Sequence, residues 1–381
     1  EARVQSLPFE PPATSVEVDP VRREVRVEVA GVIRRTARHY GDQGCIALPP
    51  GHVEIAFTPL GVRRALAHPH RQACPMGDAE DRPSAAPAEG VDAGKLSEAV
   101  ALAFADPRDH TAAFLAVHRG RIAAERSAPG IGPDTQHERW PMGKSVPATL
   151  LGRLAQVGAL TLEEPAPIAV WQSPGDPRGE ITVSDLLRMS SGLDFSGASR
   201  SLLHPLLFGI PDLLRIYTGM EDVFAFALHR SAEHPPGRVG RYRNCDPLAL
   251  GAIVRRAVEA SGEDYLRWPQ RELFDRIGIR RQILETDVRG NFILTGFDYG
   301  TARKWARLGL LYLRDGIWDG ERLLPEGFAR FVATPAPAWD EPVYGGSFWV
   351  NGTGRYPLPR DAFYMSGNGV QRVFVVPSHD L

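Results

Sequence analysis

Strand-like runs stand at both ends of this 381-residue chain and helix-like runs fill the stretch between them. Near the start of the larger part, Ala112–Val117 and Ile122–Arg126 flank Arg119-Gly120, a hairpin signal. Near the end, Gly346–Val350, Ala362–Met365 and Arg372–Val376 again read as strands. Helical runs lie between: Ser184–Met189, Asp222–Leu228, Asp246–Ala260, Asp264–Ile277 and Thr301–Leu313. Strands from both termini with helices between them predict an α/β (α+β) architecture. The expectation is one antiparallel sheet formed by both chain ends, helices on both faces and an inserted, mostly helical subdomain at about 160–300.

Residues 1–92 read as an amino-terminal extension and linker, ahead of a main domain over 93–381. Val16–Val18 and Glu24–Val29 alternate as strands do around the Asp19-Pro20 turn. Gly44–Leu48 runs into the Pro49-Pro50-Gly51 break, and a linker rich in Asp, Ala and Pro spans about 76 to 92. His68, His70 and Cys74 carry ligand chemistry, but Pro69 and the turn-rich context make them a loop.

With 43% apolar and 24% charged residues there is ample core, and a net charge of −2 without basic blocks argues against nucleic acid. No apolar run approaches the roughly 18 residues of a membrane span. Three distant cysteines imply no disulfide framework, and no metal or cofactor is called for. The chain begins at Glu1, as a processed or trimmed protein would. Cytoplasmic and exported locations both stay open, as does the oligomeric state.

The most informative stretch is Arg139–Val146, which opens an apolar helix through Leu150, Leu151, Leu154 and Val157 towards Gly158. Only Lys95, Lys144 and Lys304 are lysines among 44 basic residues, and Lys144 stands at that helix start. A solvated lysine there is unremarkable. A buried one is costly, loses proton affinity and becomes a base. Two further stretches hold polar groups on tight backbone. Tyr242 and Asn244 follow the Pro235–Gly240 loop, two residues apart and able to point the same way if it is extended. Ser366, Gly367 and Asn368 follow a strand, where small residues let a substrate lie against its edge; a plain hairpin turn reads equally well.

These three stretches together resemble the penicillin-recognising serine hydrolases, the β-lactamase and penicillin-binding-protein family with its esterase and 6-aminohexanoate-oligomer hydrolase branches. Ile181–Leu193, Asp315–Pro325 and Thr334–Trp339 extend the likeness, the last two towards those branches, and Thr36–Leu48 resembles their amino-terminal extension. The resemblance implies a β-lactamase/transpeptidase-like fold and hydrolysis of a small amide or ester. By it, Lys144 is the base of a Ser-x-x-Lys motif, Tyr242 relays a proton to the leaving group and Asn244 holds a substrate carbonyl or the lysine. Backbone near Asn368 would supply an oxyanion donor, while Met365 stands where the family has Lys or His. The family continues past Leu381 into another strand and a helix, so the chain looks short at that end.

Where the motif has its nucleophilic serine, this chain has Pro141. Proline brings neither a hydroxyl nor a backbone N–H. Loss of one oxyanion donor slows such reactions by about 10²–10³, and loss of the nucleophile by about 10⁶. The family's acyl-enzyme route is therefore expected to be closed, leaving an inactive or rerouted hydrolase; the alternative is a ligand-binding or regulatory protein on a hydrolase scaffold. Ser145 diverges from Lys144 by about 100° on a helix and is a poor substitute. Pro147 would cost about 3 kcal/mol inside a regular helix, so a kink or a late helix start near Lys144 is expected.

Overall fold

A computed structural model describes residues 14–29, 31, 33–62, 65–72, 75–78, 90–196 and 211–381. Four antiparallel strands, β1 (Thr14–Asp19), β2 (Glu24–Val29), β3 (Ile33–His39) and β4 (Cys45–Leu48), form a meander in chain order. Ile46 and Leu48 bury one end of it against Val288, with Ile55 and Phe57 alongside. Cys74 and most of the linker lie outside the described residues.

The main core is helical. Helix α1 (Ala93–Ala103) precedes the hairpin β5 (Ala113–His118) and β6 (Arg121–Ser127); β7 (His137–Glu138) leads into the turn before α2 (Ser145–Gln156). Short helices α3 (Val183–Leu187), α4 (Asp212–Arg215) and α5 (Val223–Leu228) precede α6 (Cys245–Ala260). Leu248, Ala249, Ile253, Val254 and Val258 give α6 an apolar stripe at helical spacing, buried with Leu150, Leu151 and Leu154 of α2 in one core. The expected helix over 264–277 is broken into a wide turn at Gln270–Phe274 and a 3₁₀ turn at Asp275–Ile277.

Strands β8 (Ile283–Leu284) and β9 (Asp298–Gly300) pair with β7 in the order β7-β9-β8. Helix α7 (Ala302–Leu313) follows, then the short pair β10 (Ile317–Trp318) and β11 (Glu321–Arg322), and α8 (Phe328–Ala333). The chain closes with β12 (Trp349–Val350), β13 (Phe363–Ser366) and β14 (Arg372–Val375), antiparallel in that order. The fold is thus mixed helix and antiparallel sheet, as expected. Among the described residues the β5–β6 and β12–β14 ladders are not hydrogen-bonded to each other; both pack on α7. No helix among the described residues is long and apolar enough to cross a membrane.

Candidate active site

Local chemistry sets the helix start. Residues Trp140–Lys144 form a 3₁₀ turn and the α-helix begins only at Ser145. Pro147 thereby falls in the first helical turn, where a missing N–H costs no intrahelical bond. The late start expected from Pro147 is what the chain adopts. Helix α2 ends at Gln156, with Gly158 at φ 75° past its C-cap.

Pro141 is half-buried on the 3₁₀ turn and Lys144 is buried, 2% exposed. The Lys144 Nζ donates one long hydrogen bond, 3.4 Å, to the Thr295 carbonyl and lies 4.6 Å from the centre of the Tyr242 ring. Burial pushes its pKa down to about 7, with Asp298 and then Cys245 pulling the other way. Ser145 turns away and donates its hydroxyl to the Ser347 carbonyl at 2.8 Å. It is a packing residue.

Tyr242 stacks on Trp349, ring centres 5.5 Å apart, and meets Tyr344 edge-on at 6.1 Å. Burial raises its hydroxyl well above the usual range. The Lys144 amine thus faces the ring of Tyr242, a cation–π arrangement when protonated. Asn244 is fully buried and donates Nδ2 to the Tyr217 hydroxyl at 3.3 Å, while its Oδ1 has no partner. Tyr217 donates in turn to Thr295, whose carbonyl Lys144 also reaches. Lys144 and Asn244 are therefore joined through Tyr217 and Thr295. Neither linking residue was singled out by the sequence.

Ser366 and Gly367 come beside the helix start: a Cβ on Gly367 would lie 3.2 Å from Met142 Cγ and 3.3 Å from the Arg139 carbonyl. Gly367 N–H donates to the Gln371 carbonyl at 2.9 Å. The Gln371 side chain reaches the carbonyls of Glu138 and Asn368, both at 3.0 Å, and accepts from Arg139. This is a braced hairpin turn. Asn368 is exposed on its tip, and Met365 is buried in the main core.

Asp298 of β9 is a residue the sequence reading passed over. It is 2% exposed and no neighbouring residue donates to either carboxyl oxygen. Its Oδ1 lies 2.8 Å from where a Cβ on Gly143 would stand, so any side chain at 143 would displace it. Burial holds this carboxyl well above the usual range. Arg139, whose amide donates to the Asp298 carbonyl at 3.0 Å, is brought down to about 10 by its own burial, partly offset by Asp298.

Two cavities lie away from these residues, one beside Gln43, Leu266 and Gln270, the other an open cleft by Phe224, Ala252 and Arg255. The second is lined by arginines already bonded to acids and carbonyls, and neither collects unpartnered chemistry as the Lys144 region does. Among the described residues no three His, Cys, Asp or Glu side chains are placed to hold a metal.

The mixed helix and antiparallel-sheet fold is that of the penicillin-recognising hydrolases. The family model for beta-lactamase matches residues 100–381, and the chain belongs to that family. Among solved structures it is similar to a Bacillus anthracis protein designated a 6-aminohexanoate-dimer hydrolase, at 21% identity and TM-score 0.58 over 71% of each chain. It is also similar to EstCE1, a hydrolase with promiscuous acyltransferase activity, at 16% identity and TM-score 0.58, covering 76% of this chain and 92% of that one. The octameric penicillin-binding protein homologue of Pyrococcus abyssi matches at 18% identity and TM-score 0.55, over 76% and 72% of the two chains. At such identities the likeness shows the shared fold alone.

Proposed function

We propose that this member of the beta-lactamase family binds a small amide or ester beside Lys144, Tyr242 and Asn244 and does not form the covalent acyl-enzyme of its relatives. The observation that carries this reading is Pro141 on the 3₁₀ turn, three residues before a buried lysine. Acyl transfer needs an oxygen or sulfur nucleophile beside its base. The neighbouring Ser145 hydroxyl is committed to the Ser347 carbonyl.

Esterase and oligoamide-hydrolase relatives support an amide or ester as the ligand class. Thermal unfolding with a 6-aminohexanoate dimer, a penicillin and a short nitrophenyl ester tests binding, since a ligand that prefers the folded state raises the midpoint by mass action. A raised midpoint with no burst of nitrophenol is expected. A burst stoichiometric with enzyme contradicts the reading.

A second reading, slow hydrolysis by water activated directly, is favoured by one observation: a Lys144 amine near neutrality is a competent base. It requires turnover that rises with pH through about 7, shows no burst and is abolished by Lys144→Ala.

A further inference from the structure

Buried polar atoms in folded proteins almost always find partners, so a cluster that does not marks a place with a task. Such a cluster lies behind the turn bearing residue 141. Both carboxyl oxygens of Asp298, Nε of Arg139 and Oδ1 of Asn244 are buried without hydrogen-bond partners. The Lys144 amine, with three N–H bonds to give, makes only the 3.4 Å contact to Thr295.

Three features bring Asp298 and Lys144 to one another. The Asp298 carboxyl packs against Gly143, the residue next to Lys144, in space that only glycine leaves open. Strand β9 is held there by its pairing with β7 and by the amide of Arg139. Each group also feels the other's charge, although no hydrogen bond joins them. A buried acid and a buried amine, each short of partners and of opposite charge when ionised, lower each other's cost of burial.

We propose that Asp298 is a positioning residue for Lys144: its carboxyl is the counter-group that orients the buried amine, and the two titrate as one pair sharing a proton. This rests on Lys144 being the site's base, the reading given above. The other groups facing the pair are Arg139 and Glu138 from the β7 side, Tyr217, Tyr242 and Cys245 from the loop and helix opposite, and Tyr299 beside Asp298. At neutral pH only Arg139 among these six is a cation; Glu138 meets the turn at Trp140, and Asp298 is the acid whose carboxyl packs on Gly143, next to Lys144. A coupled pair releases its protons in two macroscopic steps that belong to both groups.

The chain's three lysines make this measurable. Protein labelled with ¹³C at lysine Cε gives three signals, for Lys95, Lys144 and Lys304, and Lys144→Met assigns the middle one. In the wild-type protein the Lys144 signal should move in two steps with pH. In Asp298→Asn it should move in one, at a midpoint lower by about 1–3 pH units, because a nearby carboxylate favours the charged amine by that order. The Lys304 signal, from an amine bonded to the Arg281 carbonyl, should titrate at the same midpoint, about 8, in wild type and Asp298→Asn and reports that the fold is intact.

A single wild-type step together with an unmoved midpoint in Asp298→Asn overturns the pairing. Should that variant fail to fold, the wild-type curve decides alone: two steps support the pair and one step refutes it. The readout needs no substrate. Two steps in a protein that binds no amide or ester refute the functional reading only, whereas binding with a single step refutes the pairing only.

Discussion

The latch around Asp78 and the turn around Lys144 both bury charge, and they treat it in opposite ways. In the latch, Arg307 donates to the carbonyls of Pro75 and Gly77, at 2.7 and 2.9 Å, and to Asp78. Arg280 holds the carbonyls of Ala67 and Met76 and the side chain of Gln72, while Arg303 grips Glu125 at 2.6 Å. Burial pulls the Asp78 carboxyl up, but Arg307, Arg303 and Arg280 together outweigh it and hold it below the usual range. Around Lys144, by contrast, Asp298 has no donor from any neighbour and the lysine has one long bond. Satisfied buried charge fastens Ala67 and Gln72, and Pro75 to Asp78, onto Arg280 and helix α7. Unsatisfied buried groups stay ready to titrate, and under the proposed function they are the ones a ligand would meet.

The largest effect should come from the latch. Arg307→Met leaves Asp78 and two carbonyls without their main partner, and removing one member of a buried pair costs about 3–5 kcal/mol. A fall in the unfolding midpoint and earlier proteolysis between Ala67 and Asp78 are expected; an unchanged midpoint would remove the contrast.

Glu285 is an intermediate case. It is buried, accepts the Cys45 amide at 2.6 Å and has its pKa pushed up to about 8 by burial. Between the ordinary value of 4.5 and about 8 the folded chain keeps a proton that the unfolded chain releases. Stability should therefore fall as pH rises through that window, by up to about 1.4 kcal/mol per pH unit, and level off above it. In Glu285→Gln, denaturant titrations from pH 5 to 9 should show the decline flattened.

Lys144→Met should cost far less than Arg307→Met, because the carboxyl it leaves behind, Asp298, is held towards its neutral form, whereas Asp78 is held ionised. The folded pKa is about 7 against 10.5 for an ordinary lysine, so in that window the unfolded chain binds more protons and wild-type stability rises with pH. The cost of methionine should therefore be smallest below about pH 7 and grow as pH rises towards 10.5. A loss as large as that of Arg307→Met would mean that the amine is a structural member like Arg307. The smallest effect belongs to Ser145→Ala, which should cost roughly 1 kcal/mol for its hydrogen bond and leave ligand-induced shifts of the midpoint unaltered.

What the sequence disclosed was local. Pro141, Lys144 and Pro147 stand within seven residues, and their backbone consequences, a 3₁₀ turn and a late helix, follow from proline chemistry. Strand and helix periodicity similarly revealed the mixed fold. Tyr217, Thr295 and Asp298 were not legible, because what matters about them is which distant groups they meet, and no spacing encodes that. The segment Asp264–Ile277 kept an apolar pattern but wound into successive tighter and wider turns instead of one helix. The latch was hidden for a similar reason: no spacing shows that Arg280, Arg303 and Arg307 meet Asp78 and its neighbours, some two hundred residues earlier.

The most direct measurement is the intact mass of the protein after exposure to a fluorophosphonate or a penicillin, native beside Pro141→Ser. The native protein should keep its mass, and the serine variant should gain one acyl or phosphonyl group at residue 141. An adduct on the native protein, on any side chain beside Lys144, would contradict the closure of the covalent route.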